Sequence, residues 1–164
     1  MRVIARDNEG RAARLSTRVE VLWHLNDQWN SRGMGDVRSG AASGLLNQTP
    51  GADVAAVLDF FEQLALLMNR GTLDEEVAAL YFYWPLANYW VASGDYLQEV
   101  RRDEPSAWEA VDGLVNRLGA TEARRRRRPA EAMLPSAKQV QQFLLDEQGD
   151  NECTDDTDVQ KTPA

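Results

Sequence analysis

The 164-residue chain is poor in the residues that most catalytic chemistry needs. It has one histidine, His24, and one cysteine, Cys153, and only two of its 18 basic residues are lysines, Lys138 and Lys161. A lone cysteine in an acidic stretch cannot form an internal disulfide, so nothing marks an extracellular, cross-linked scaffold, and a cytoplasmic location is expected. One histidine and one cysteine far apart give no scaffold for a Cys-His nucleophile and too few ligands for structural zinc. Gly33, Gly35, Gly40 and Gly44 follow neither the dinucleotide nor the Walker spacing, and no serine-hydrolase elbow is present. Neither a catalytic residue nor a cofactor or metal is expected. Long apolar runs are scarce too. Only Val77 to Gly94 approaches a membrane span, and Pro85, Asn88 and its central tyrosines argue for a buried core helix instead. The segment Met1 to Leu15 is charged throughout, which excludes a signal peptide or anchor there.

What is present suits a folded helical domain. Hydrophobic residues make up 43% of the chain and charged residues 27%, enough for one core. The net charge of -8 argues against nucleic-acid binding over the whole surface, although local basic patches are compatible with it. Apolar residues recur at helical spacing in Leu15 to Arg32, where Gly33-Met34-Gly35 is expected to end the helix, and Asp36 can cap a weaker one through Leu46. Val54, Val57, Leu58, Phe61, Leu64, Ala65 and Met68 share one face of a second clear helix, closed by Gly71. Thr72-Leu73-Asp74-Glu75 matches a capping box and sets the expected start of the next helix at Thr72.

That helix is apolar on two sides. Leu73, Val77, Leu80, Tyr81, Trp84 and Val91 project one way, and Phe82, Leu86 and Tyr89, followed by Tyr96 and Val100, roughly the other. Pro85 should bend it and free the Tyr81 carbonyl, with Asn88 at hand to serve it. Asp103-Glu104-Pro105 is expected to open a helix with Trp108, Val111, Leu114, Val115 and Leu118 inside, and Ser136 to cap a last one through Glu147. The expectation is an all-α fold: a small bundle of about five helices with a kinked, aromatic-rich central helix and a disordered acidic C-terminal tail. Its divisions are a flexible segment 1–13, a helical domain 14–119, an Arg/Pro-rich linker 120–135, a short helix 136–148 and an acidic tail 149–164.

Three constellations invite a functional reading. Glu20, His24 and Asp27 share a helix face at spacings suited to a divalent metal, but a solvated polar stripe explains them as well. Arg124, Arg125, Arg126, Arg127 and Arg128 repel one another and attract nucleic acid, acidic lipid, or the chain's own acids at Asp146, Glu147, Asp150, Glu152, Asp155, Asp156 and Asp158. Phe82, Leu86, Tyr89 and Tyr96 form the apolar face that few helices remain to cover, and so the expected contact for a protein partner or a second copy. The leading expectation is a non-enzymatic interaction or self-association module. Anion binding through the arginines is the alternative, and an enzyme with an unrecognised pocket a distant third.

Leu58-Asp59-Phe60-Phe61-Glu62, the Asn69 to Glu76 junction, Tyr83-Trp84 with Tyr89-Trp90, and Arg101-Arg102 before Trp108 and Leu114 carry a family resemblance. Residues 57–118 resemble a bacterial family of small all-helical domains of unknown function. The resemblance implies an all-helical fold and no established activity. Many members of that family look membrane-anchored through an N-terminal hydrophobic helix, from which the polar Met1 to Leu15 departs; a peripheral membrane location is implied by the resemblance alone.

Overall fold

The computed structural model describes residues 17–129 and 132–149, and among them every regular element is a helix. Helix α1 covers residues 17–29 and buries Leu25 and Trp29. The chain turns at Asn30 and Ser31, earlier than the glycines suggested. The Ser31 hydroxyl accepts from the Met34 amide at 3.2 Å, and α2 (Arg32–Leu46) starts there, with Gly33 and Gly35 inside it. A serine oxygen that satisfies an orphan N–H is worth about 1 kcal/mol and offsets much of the roughly 1–2 kcal/mol that two glycines cost in a helix. Two later glycines of α2 lie at close approaches: a Cβ on Gly40 would lie 2.1 Å from Oδ2 of the exposed Asp53, whose side chain would have to turn away, and one on Gly44 would lie 3.0 Å from the Thr49 carbonyl oxygen, where the backbone would have to give by a few tenths of an ångström.

Helix α3 (Ala52–Asn69) buries all seven residues of the expected face and Phe60 besides. It closes through Gly71 at φ 68°, with Thr72 N bonded to the Leu67 carbonyl at 3.1 Å, the left-handed C-terminal motif that glycine accommodates without strain. Helix α4 (Glu75–Ala92) does not begin with the expected capping box. Asp74 is the cap, its Oδ1 accepting from the Glu76 and Val77 amides at 3.0 and 3.1 Å, while the Thr72 hydroxyl donates to the Leu67 carbonyl at 2.6 Å. Pro85 lies inside α4. The Asn88 side-chain amide donates to the Trp84 carbonyl at 2.8 Å, three residues beyond the Tyr81 carbonyl expected to receive it.

The central helix is shorter than expected, because Ser93 separates α4 from α5 (Gly94–Asp103) and puts Tyr96 and Val100 on the second piece. Pro105 then falls in a turn. Arg101 organises that turn, donating to the Ala107 and Trp108 carbonyls at 2.9 and 3.2 Å and pairing with Asp112 at 3.0 Å. Trp108, at φ 52°, stands before α6 (Glu109–Arg126) and donates its indole N–H to Asp59 at 2.8 Å, tying the turn to α3. Helix α6 runs past the boundary expected at residue 119, so the segment 120–135 is not a linker throughout. Ser136 and Gln139 form a capping box for α7 (Ala137–Gly149), the side-chain oxygen of Gln139 accepting from Ser136 N at 2.9 Å. The segments 1–13 and 150–164, expected to be flexible and disordered, lie outside the described residues.

Helix α4 is the hub, packed against α3, α5, α6 and α7, while α2 joins α3 to α7. Trp29, Phe60, Phe61, Phe82, Tyr89 and Phe143 interlock at ring-centroid distances of 4.9 to 6.5 Å, mostly tilted or edge-on, which favours contact between electron-rich faces and electron-poor edges. Each such ring withdrawn from water stabilises the fold by about 1.5–3 kcal/mol.

Candidate functional site

The apolar contact expected at Phe82, Leu86, Tyr89 and Tyr96 is not on the surface. Phe82, Leu86 and Tyr89 have no exposed area, and Tyr96 is half-buried against Trp108 at 6.0 Å. The chain's own elements cover this face. Phe82 meets Phe60 of α3 at 5.8 Å, and Tyr89 is enclosed by Trp29, Phe61 and Phe143. Its hydroxyl bonds the Arg38 carbonyl oxygen at 3.1 Å and Glu147 Oε2 at 3.0 Å, and Arg38 pairs with Glu147 at 3.3 Å while lying 4.7 Å from the centroid of the Trp29 ring. Burial, reinforced by the Glu147 charge, pushes the Tyr89 phenol far up, so it remains a neutral hydrogen-bonding group.

The open face of α4 is the other one. Leu80 is 59% exposed, Trp84 46%, Tyr81 44% and Val91 39%, and all four fall on one stripe at helical spacing. Beside the start of the stripe, Val19, Leu22, Leu73 and Val77 line a groove of ≈ 340 Å³ between α1 and α4, with Arg18 and Asp74 at its rim. Trp23, one turn beyond Val19, is 58% exposed. Asn88, fully buried behind the stripe, keeps its Oδ1 without a hydrogen-bond partner among the described residues.

The five arginines are not a repelling coil. Arg124, Arg125 and Arg126 form the last turn of α6, and Arg127, at φ 53°, caps it in the left-handed conformation. Glu122, with its side chain almost wholly buried, holds two of them: Arg125 donates from Nε and Nη2 at 2.8 and 2.7 Å, and Arg126 bonds the same carboxylate through Nε. Those hydrogen bonds, from Arg125 foremost, keep Glu122 below the ordinary carboxylate range despite its burial. Arg124 donates to Thr121 at 2.8 Å and lies 3.5 Å from Glu75. Glu75 accepts from the Thr121 hydroxyl and from Arg117, and these bonds, Thr121's first, hold it low as well. The Arg127 and Arg128 side chains have no partner among the described residues.

The acids expected to screen this run divide in two. Glu147 is committed to Arg38 and Tyr89, and Asp146 accepts from Gln142, whereas residues from Asp150 onward lie outside the described residues. Glu20, His24 and Asp27 are exposed on α1. Among the described residues no group of three or more His, Cys, Asp or Glu side chains could hold a metal ion. Glu62 is raised above the ordinary range by burial and by the neighbouring charges of Asp59 and Glu104.

Fold and surface together define an all-helical domain whose distinctive groups are an apolar stripe and a braced cationic turn. Residues 38–118 match the family described as Domain of unknown function (DUF4760), which extends the resemblance read over residues 57–118 back into α2. No curated protein and no solved structure matches the chain. Among the described residues, no helix is long and apolar enough to cross a membrane.

Proposed function

We propose that this domain is a non-enzymatic protein-interaction or self-association module of the bacterial cytoplasm, and that its contact is the stripe Leu80, Tyr81, Trp84 and Val91 on α4. The exposed stripe is the observation that carries the reading. Four large apolar side chains in a row at 39–59% exposure on an otherwise well-packed helix leave a patch of the kind that partner surfaces cover. Aromatic anchors such as Trp84 and Tyr81 are the side chains from which interfaces draw most of their energy. The cytoplasmic placement rests on the single cysteine, which gives no cross-linked scaffold.

Light scattering on a sizing column, run over a range of protein concentrations, reports self-association directly. Pull-down from the source organism, with identification of bound proteins, reports a different partner. In both, the Leu80→Asp/Trp84→Asp double variant should release what the unaltered protein holds. An unaltered protein that is monomeric throughout and retains the same proteins as the double variant would sink the proposal.

A further inference from the structure

We infer that the partner of the α4 stripe is a second copy of this chain, paired about a two-fold axis that passes close to Leu80 and Tyr81; the inference rests on the reading of the stripe as a contact. Helices α1 and α4 share one apolar face. Val19 and Leu22 of α1 line a groove with Leu73 and Val77 of α4, and further along Trp29 lies 6.4 Å from Tyr89, so the two helices run side by side in the same direction. Trp23, one turn after Val19, therefore stands about level with Tyr81, and its exposed ring extends the stripe across both helices. No charged residue occurs between Val77 and Gly94, which suits the centre of an interface, where charges are depleted.

What selects a second copy is that the face carries a hole and a knob together. The hole is the groove of ≈ 340 Å³ at Leu73 and Val77, and the knob is the 46% exposed indole of Trp84 on the same stripe. An isologous interface needs both on one patch, because each copy must supply what the other receives, whereas a foreign partner calls for only one of them. The spacing closes the pair. With α4 antiparallel to its copy and the axis between Leu80 and Tyr81, residue 84 of each chain falls opposite residue 77 of the other, so both indoles reach a groove at once. Charge sets the sense of the pairing. Parallel helices would hold the exposed Asp74 and Glu76 against the same acids of the copy, whereas the antiparallel pair keeps them about 14–20 Å from their counterparts and beside the uncharged residues 85 to 87. The area is also of the right order. Val19, Trp23, Leu80, Tyr81, Trp84 and Val91, at 39–59% exposure, leave on the order of 500 Å² of apolar surface. A standard interface buries about 800 Å² per partner, roughly two thirds of it apolar in homodimers.

The test combines sedimentation equilibrium with cross-linking of the full chain by a short bismaleimide, using single-cysteine variants in a Cys153→Ser background. Leu80→Cys places a thiol beside the axis and should yield a covalent dimer. Val91→Cys, on the same stripe, lies about 30 Å from its copy and should stay unlinked. Sedimentation should show monomer and dimer with no larger species, since a two-fold contact closes at two. Val19→Asp alters an exposed position on α1, outside the α4 stripe, and should weaken the dimer at least tenfold with the circular dichroism spectrum unchanged. A monomer at every concentration, linking of Val91→Cys as fast as of Leu80→Cys, assembly beyond the dimer, or a Val19→Asp variant that pairs as tightly as the unaltered chain would each overturn the inference. A monomeric chain that still retains a foreign protein, released by Leu80→Asp/Trp84→Asp, overturns the second copy and leaves the stripe as a contact standing.

Discussion

The two faces of α4 have nearly the same composition and opposite fates. Phe82, Leu86 and Tyr89 vanish beneath α3, α2 and α7, whereas Leu80, Tyr81, Trp84 and Val91, from the same 18-residue helix, remain open to solvent. Hydropathy ranks the faces as equals, so what separates them is supply. The elements able to cover one side come from residues up to 60 positions away, as in the Trp29–Tyr89 ring contact, with Glu147 58 positions off on the other side. A helix that is apolar all round thus reports that it needs cover without reporting where the cover is.

The sharpest way to break this contrast is Phe82→Asp. A charge forced against Phe60 at a site with no exposed area should cost more than about 4 kcal/mol and leave the chain unfolded, as circular dichroism would show. Tyr89→Phe keeps the ring but leaves Glu147 with a partner fewer, and denaturant titration should register a loss of about 1–2 kcal/mol. Acid titration probes the border where α4 meets α6. Glu75 and Glu122 have folded pKa values below the ordinary 4.5, so their contribution is complete above that pH and is lost as the pH falls from there through their folded values. Melting temperature should drop in that window, and Glu122→Gln should remove part of the pH dependence. The smallest effect belongs to the open face: Leu80→Gln or Trp84→Gln should change stability by less than about 0.5 kcal/mol, and a larger loss would mean that the stripe is part of the core.

Periodicity made the interior of α3 legible residue by residue, and Gly71 and Ser136 announced a helix end and a helix start through chemistry local to a few residues. Errors arose where two local signals competed. Thr72 and Asp74 are both good caps, and the choice is made elsewhere: Glu75, which a capping box would turn back toward Thr72, is drawn instead to Thr121 and Arg117, more than 40 residues away. Composition alone makes the arginine run look like a repelling linker, but the acid that braces it stands in the same helix. Glu122 precedes Arg125 and Arg126 by three and four residues, the spacing at which a carboxylate and a guanidinium meet on one helix face. By contrast, neither the Asp59–Trp108 bond nor the Arg38–Glu147–Tyr89 cluster has any signature in local sequence, and the second decides which face of α4 stays open.

The bond between Tyr89 and Glu147 reaches beyond the stretch that the family match covers. The family match stops at Leu118, but the ring of Tyr89 is closed over by Phe143 and its hydroxyl is met by Glu147, both in α7. A fragment cut at 38–118 would keep the recognisable pattern and lose the lid on its own core, along with Trp29 and the Thr121 and Arg124 partners of Glu75. The matched pattern is therefore shorter than the set of residues that closes the core around Tyr89.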